Sequence, residues 1–411
     1  MLDRLTIERM MAWAGDRPVL VALSGGGDSV ALLHLLVDEL GAGRVRAVIV
    51  DHALRDGSAD DCAHALTFAR ALNVRADVLT LRWDEGANRA QQAARQARYA
   101  AICEYARAGQ LNTIAAAHTA DDQAETVLMR AANGSTWRGL AGIAPFAFAP
   151  LWPEGRGVAL ARPLLAARRE PLRIYLRARG AQWIEDPANA NPKFERVRVR
   201  QRLAALEADG LDPMRLAHLA ARFRLRSDAL DRAASKLIAE SADLEDGAVI
   251  CLDRWNAPAE VRRRALSAMI AAVGGASREP AWTEIEALEA RVMRGDLPGV
   301  THSGVEFSTT GGAVVLRREA GALLGRADGA LPHPALPLRA NVEAIWDGRL
   351  AITPPEEGWS VVPARNAYAV AFKNALDLKT YREAETLLRL RPLVAARVAH
   401  AFAPDINRAK P

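Results

Sequence analysis

Cysteine is scarce. Only Cys62, Cys103 and Cys251 occur in 411 residues, far apart in sequence. No CxxC pair exists, so a zinc ribbon, an iron–sulfur ligand set and a redox dithiol have no local support. Three separated cysteines fit a reducing compartment. Lysine is also rare for a basic protein: Lys193, Lys236, Lys373, Lys379 and Lys410 are five of 54 basic residues, and the rest are arginines. A phosphate site before Lys193 therefore relies on backbone amides, hydroxyls, arginine or metal. No window approaches the roughly 18–20 consecutive apolar residues of a membrane span. The opening stretch MLDRLTIERMMAW is charged and amphipathic, without a signal-peptide core. The expectation is a cytoplasmic protein with no membrane partner.

What is present is globular in proportion: 50% hydrophobic and 25% charged residues. The length is too great for one typical domain. A net charge of +5 is compatible with a polyanionic partner. The first third alternates strand and helix patterns. Strands are expected at Val19–Leu23, Val45–Val50, Ala76–Leu81 and Thr113–Ala117. Helices are expected at Ser29–Leu40, Ser58–Leu72, Ala90–Ala108 and Asp121–Ala132. Such alternation predicts an α/β fold, a parallel doubly wound sheet covered on both faces. Ala141 to Pro163 reads as loop with at most short strands, and helical character returns at Arg168–Arg179. From about Arg200 to Arg294 the pattern is mostly helical, broken near Gly210, Gly247 and Gly274. Val305 to Arg317 reads as a hairpin around Gly311-Gly312, and Tyr368 to Phe402 as helix-like. The expected division is a catalytic domain over 1–200, a helical domain over 201–298 and a small mixed α/β region over 299–411.

The first strand runs directly into Ser24-Gly25-Gly26-Gly27-Asp28-Ser29, where a helix begins. Glycines let the backbone approach a phosphate closely. The helix N-terminus adds unpaired N–H groups and a favourable dipole. Ser24 and Ser29 add hydroxyl donors. Asp28 repels phosphate, so a magnesium or capping role suits it better. The loop is neither GxxxxGK[ST] nor GxGxxG. Two more clusters follow predicted strands: Asp51-His52 after the second and His118 after the fourth. Ligands of open α/β sheets bind at the carboxyl ends of strands, so all three groups belong at one edge. Asp121 and Glu125 are four residues apart on the next helix, and Asp122 and Glu125 are three apart. Either pair shares a face and could hold an amine or a metal. The plain alternative is helix capping.

The loop resembles the SGGxDS loop of the PP-loop ATP pyrophosphatases. The ordered strings DHALR (51–55), AARQARY (93–99), AAHTADDQAETVLMR (116–130), NGSTWRGLAGI (133–143), RPLL (162–165) and WIEDPANANPKFERVRVR (183–200) together resemble the tRNA(Ile)-lysidine synthetase family. The resemblance covers roughly Val19 to Arg202. It departs at Thr119, where the family usually has a second histidine, at Asn133–Thr136, and at Val197. It fades after Gly299.

The resemblance implies an ATP- and Mg²⁺-dependent, AMP-forming ligase. It would join free L-lysine to the wobble cytidine of a tRNA(Ile) with a CAU anticodon. It further implies nucleotide contacts from Ser24, Gly25, Gly26, Gly27, Asp28, Ser29, Asp51 and His52. Catalytic roles fall to Asp28, Arg95, His118, Asp121, Asp122 and Glu125, with magnesium assigned to Asp28 and Asp122. Contacts to tRNA fall to Arg98, Arg138, Arg162, Arg196 and Arg200. Between Arg156 and Arg202, twelve basic residues face four acidic ones, a local balance of +8. Arg196, Arg198, Arg200 and Arg202 alternate: extended chain puts all four on one face, and a helix pairs 196 with 200 and 198 with 202. Such a stripe suits phosphate contacts. Trp137 and Trp183 suit base stacking or a core. A homo-oligomer is compatible with the sequence. Two other functions fit less well. Another PP-loop enzyme, a tRNA thiolase or an amide-forming synthetase, is one: the missing cysteine pairs disfavour a thiolase, and no glutaminase domain is recognisable for a fused amidotransferase, whereas an ammonia-dependent synthetase passes that test. A non-catalytic nucleotide- or RNA-binding protein is the other. Asp28→Ala is expected to abolish pyrophosphate release. Unimpaired release in a pyrophosphate assay would remove this loop from the ATP site.

Overall fold

The computed structural model describes residues 1–53, 57–83, 91–185, 193, 195–245, 247–276, 279–325, 332–363, 370–373, 377–380 and 388–404. Arg55, Ala90, Asp186 to Asn189 and Tyr368 lie outside them. The chain forms two compact units, one over Met1–Ala229 and one over Leu230–Phe402.

In the first unit, helix α1 (Arg4–Ala14) is followed by β1 (Val19–Ala22), α2 (Gly27–Leu40), β2 (Val45–Asp51), α3 (Ser58–Ala71) and β3 (Arg75–Thr80). Next come α4 (Gln91–Ala108), β4 (Thr113–Ala115), α5 (Ala120–Ala132), the single turn α6 (Trp137–Leu140), β5 (Phe146–Phe148) and β6 (Ala159–Ala161). Helices α7 (Arg169–Ala178), α8 (Glu195–Ala208) and α9 (Pro213–Ser241) follow, the last continuing into the second unit. The sheet order is β3-β2-β1-β4-β6-β5. All its pairings are parallel except β5 with β6. The expected parallel, doubly wound sheet is what forms.

Alternation along the strands sends side chains to two separate cores. Val19, Val21 and Leu23 pack with α1, α2, α3 and α7 on one face. Leu20, Val48, Ile114 and Leu160 pack with Tyr99, Ile102 and Ala106 of α4 on the other. Near-continuous apolar strands are the signature of such double burial. The chain passes from β1 toward β2 on one side and returns through β4 on the other. The order reverses between β1 and β4, and a crevice at their carboxyl ends is the default ligand position.

The second unit has its own cores. Strands β7 (Ala242–Asp243), β8 (Ala248–Cys251), β9 (Thr301–His302), β10 (Val305–Thr310) and β11 (Ala313–Arg318) pack with α10 (Ala259–Val273) and α11 (Trp282–Arg294). The hairpin expected at Val305–Arg317 is the antiparallel β10–β11 pair. Within the stretch read as helical, the break near Gly247 is the β7–β8 turn. After the short helix α12 (Ala320–Leu324) come β12 (Leu336–Pro337), β13 (Ala344–Trp346), β14 (Leu350–Thr353), β15 (Trp359–Val362), β16 (Val370–Lys373), β17 (Asp377–Thr380), β18 (Arg389–Pro392) and α13 (Val394–His400). The helical reading of Tyr368–Phe402 is therefore corrected, because among the described residues of that stretch only Val394–His400 is helix. Val370–Lys373 instead pairs with β15 and β17, and Arg389–Pro392 with β14. Short apolar runs satisfy either period, and neighbouring strands supply the hydrogen bonds that decide.

Ile114 is fully buried between Leu20 of β1 and Leu160 of β6. Ile114→Ala is expected to cost about 2–5 kcal/mol of stability, measured as a shift of the denaturant midpoint with an unchanged m-value.

Candidate active site

The glycine loop takes its shape from three local constraints. Gly25 has φ +81°, a left-handed value that disfavours any side chain, and an added Cβ would lie 2.5 Å from the Ile184 side chain. Ile184 donates its N–H to the Gly25 carbonyl at 2.9 Å. Ser29 Oγ donates to the Gly26 carbonyl at 2.8 Å and accepts the Ser24 N–H at 3.2 Å, which closes the loop on itself. Gly26 is the N-cap of α2 and has no side chain to cap it. The first N–H groups of α2 thus remain available to an anion.

Asp28 stands in the first turn of α2. Its Oδ2 accepts from Arg169 Nε at 3.3 Å. Its Oδ1 lies 3.5 Å from Arg173 Nη1, yet both atoms are buried without a hydrogen-bond partner. Burial pushes the Asp28 carboxyl upward against the opposing pull of Arg169 and Arg173. Arg173 lies so close to Gly27 that a Cβ there would fall 1.4 Å from its Nη1.

Helix α5 begins with a capping box. Thr119 Oγ1 accepts the Asp122 N–H, and Asp122 Oδ2 accepts the Thr119 N–H at 2.8 Å and its hydroxyl at 2.9 Å. The capping alternative is therefore real for Asp122, but it uses only one of its oxygens. Asp122 Oδ1 accepts from Arg169 Nη2 at 2.5 Å and Arg196 Nη2 at 3.0 Å. Glu125 Oε1 accepts from Arg169 Nη1 and Arg200 Nε, both at 2.9 Å, and its Oε2 from Arg196 Nε at 2.6 Å. Asp121 turns aside: Oδ1 accepts from Arg168 Nε and Oδ2 from the Arg169 N–H, each at 2.9 Å. Asp122 and Glu125 are thus the pair that shares partners. Burial raises both carboxyls, but the arginines, Arg169 first, outweigh it, and both end below the usual carboxylate range.

This meeting depends on packing. Ala124 and Val127 of α5 pack with Leu203 of α8 and with Leu216 and Ala220 of α9. Arg196 to Arg202 is helical, so Arg196 and Arg200 share the inner face and reach Glu125, whereas Arg198 and Arg202 are exposed.

The remaining expected residues lie around the strand ends. Asp51 is buried at the end of β2 and its Oδ1 accepts the Ala53 N–H at 2.8 Å. The carbonyl of His52 accepts from Trp83 Nε1. His118 is pushed well below its ordinary pKa by burial and then by Arg162, Arg95, Arg196 and Arg98, so it is neutral. The Nδ1 atoms of His52 and His118 have no partner. The Arg95 and Arg98 guanidiniums sit 5.2 and 5.4 Å from the Tyr99 ring centre. Arg162 is buried and donates to the Ala144 carbonyl at 2.6 Å, and burial pushes it down to about 10. It faces the interior. Arg138 is half-buried on α6. Trp183 lies under the Arg173 guanidinium, 5.3 Å away.

Arg168, Arg169 and Arg173 were not singled out in the sequence, although a signal existed. Cations at the start of a helix oppose its dipole, and like charges four apart repel. Arg168 and Arg169 at the start of α7 break the first rule, and Arg169 with Arg173 breaks the second, which points to an anionic partner.

No group of three or more His, Cys, Asp or Glu among the described residues is arranged to hold a metal. The donor set still fits magnesium of the kind held by one or two carboxylates and substrate phosphates. Asp28 Oδ1 is the available oxygen, whereas both oxygens of Asp122 are engaged. No helix among the described residues is long and apolar enough to cross a membrane.

A glycine loop at the switch point of a parallel sheet, with carboxylates and arginines beside it, defines a PP-loop nucleotide-binding protein. The model of the PP-loop domain matches residues 3–207. The tRNA(Ile)-lysidine synthase of Hyphomonas neptunium is 37% identical over 312 residues, 75% of this chain and 83% of that one. That of Ruegeria pomeroyi is 35% identical over 340 residues, 82% and 76% respectively. The chain belongs to the tRNA(Ile)-lysidine synthase family. Among solved structures, the U34-tRNA thiolase NcsA from Methanococcus maripaludis aligns with TM-score 0.41 and 16% identity, over 54% of this chain and 77% of that one.

Arg169→Ala removes one of three cations around Glu125, which is 1% exposed. The expected loss is about 1.5–3 kcal/mol at pH 7. Because the Asp122 and Glu125 carboxyls are depressed, the network contributes fully above the ordinary carboxylate range and is lost as pH falls through their lower values. The stability gap between wild type and variant should shrink accordingly in denaturant titrations below about pH 4.

Proposed function

We propose that this chain carries out the reaction for which its relatives are named, forming lysidine at the wobble cytidine of a tRNA(Ile) with a CAU anticodon. The observation that carries the proposal is the coupling of two subsites. A glycine loop whose buried Asp28 Oδ1 and Arg173 Nη1 face each other at 3.5 Å without a hydrogen bond joins, through Arg169, a buried Asp122–Glu125 pair. Buried polar atoms without hydrogen bonds are uncommon and call for an explanation. A triphosphate supplies one: Arg173 donates to a phosphate oxygen, and the N–H groups of α2 cradle another. Asp28 would hold a magnesium ion, which when bound would supply neutralisation of the developing phosphate charge.

ATP is the activating substrate. The carbonyl oxygen on the cytosine ring attacks the α phosphate and pyrophosphate leaves. The ε-amine of lysine then bonds to the activated ring carbon, AMP departs with the oxygen, and the nitrogen loses a proton. The amine is mostly an ammonium near neutral pH. Asp122 and Glu125 suit gripping that ammonium. Their depressed carboxyls make them poor proton acceptors. His118 is neutral with Nδ1 free of partners, so it can accept a hydrogen bond, while burial and the surrounding arginines make it a poor proton acceptor as well. Arg95, Arg98 and the outer arginines Arg198 and Arg202 provide positive charge for RNA phosphates, and Arg138 is assigned there with them. Arg196 and Arg200 support the carboxylate pair and meet RNA only by leaving it.

The test is transfer of labelled lysine into unmodified tRNA(Ile) with ATP and magnesium, with methionine tRNA as control. Incorporation into the isoleucine tRNA alone is expected. No incorporation with intact components would exclude this substrate set, and a screen for AMP release would follow.

A further inference from the structure

The Asp122–Glu125 pair has one acceptor site left. Asp122 accepts four hydrogen bonds and Glu125 three, against about four lone-pair sites on each carboxylate. The Glu125 side chain is 1% exposed and ringed by Arg169, Arg196 and Arg200, so the acceptor site it has left is closed to solvent while all three stay in place. Adding a cation beside three guanidiniums is also repulsive. One arginine has to leave before lysine enters.

The three arginines are not equivalent. Arg196 and Arg200 extend from α8 to the α5 carboxylates. Arg169 alone also reaches the phosphate loop, through Nε to Asp28 Oδ2 at 3.3 Å. Its neighbour one turn on, Arg173, lies directly on Gly27. Arg169 is therefore one side-chain swing from any phosphate bound at the loop. A triphosphate offers it a charge-assisted, bidentate partner. Taking that partner empties one acceptor position on Asp122 Oδ1 and one on Glu125 Oε1, the two atoms that its Nη2 and Nη1 now occupy.

We infer that Arg169 is a positioning residue that occupies the ammonium site of lysine until nucleotide at the glycine loop draws it away, so that lysine binding follows ATP binding. The inference rests on reading Asp122 and Glu125 as the grip for the lysine ammonium. A ligand shifts such an equilibrium only by its differential interaction with the two states, and here that difference is the new Arg169–phosphate contact. Coupling between two sites is reciprocal, so lysine tightens ATP binding by the same factor. A cationic amine is thereby kept out of the site while no activated base can form.

The measurement is equilibrium dialysis of labelled L-lysine against the full chain. It is made with and without saturating α,β-methylene-ATP and magnesium, a nucleotide that cannot be cleaved at the α–β bond. In wild type the lysine Kd is expected to fall by about tenfold, within the ~5–150-fold span of typical couplings. In Arg169→Gln, lysine without nucleotide should bind nearly as tightly as wild type does with it, and the ratio should collapse to within about twofold. Arg169→Lys keeps a mobile cation and should restore part of the ratio. A merely structural role for Arg169 would weaken both states together and leave the ratio unchanged. A wild-type ratio of one, or an unchanged ratio in Arg169→Gln, overturns the inference. Glu125→Gln and Asp122→Asn separate the two levels, with α,β-methylene-ATP binding as the check that each variant is folded. Undiminished lysine binding in both would overturn the carboxylate grip and the inference together. Lost lysine binding in them, with a wild-type ratio of one, would overturn only the role of Arg169.

Discussion

The catalytic unit depends on one guanidinium shared among three carboxylates. Arg169 ties Asp28 of the glycine loop to Asp122 and Glu125 of α5. Without a counter-cation, Asp122 and Glu125 would be two buried anions on one helix face, an arrangement that normally protonates one of them. Arginine suits this position because its planar fork donates in several directions and keeps its charge when buried. A lysine could satisfy the charge but not three acceptors at once in fixed geometry.

The network also explains the arginine stripe. A run of alternating arginines before a helical region reads as an outward surface for RNA, and Arg198 and Arg202 match that reading by their exposure. Their partners Arg196 and Arg200 turn inward, because α8 packs its apolar positions Val199 and Leu203 against α5. The same segment therefore serves two ends, an outer face for a polyanion and an inner face for the carboxylates. Buried ion clusters are poor sources of net stability. Their presence at the sheet's switch point is better understood as a functional arrangement than as a structural one.

Much of this was legible in the chain. Strand–helix alternation announced the parallel sheet, and the glycine loop announced the phosphate end of β1. The hairpin around Gly311-Gly312 was also visible. Two things were not. Strands β16 to β18 exist through pairing, β16 with β15, β17 with β16 and β18 with β14, which no local period reveals. Arg169 escaped notice because its partners lie 141, 47 and 44 residues away in sequence. Arg162, by contrast, sits in a recognisable string but is buried, with its charge turned to a backbone carbonyl.

The sequence by itself determined the elements whose cause is local: the loop's glycines, the apolar strands, and the carboxylates set three and four apart on α5. Periodicities of 2 and 3.6 residues act within a segment, so they can be read from it. The tertiary structure alone decided that Asp122 and Glu125, rather than Asp121, form the shared pair, and that arginines from α7 and α8 fill it. Those choices follow from how α5, α7 and α8 pack, and packing joins residues that no local rule connects.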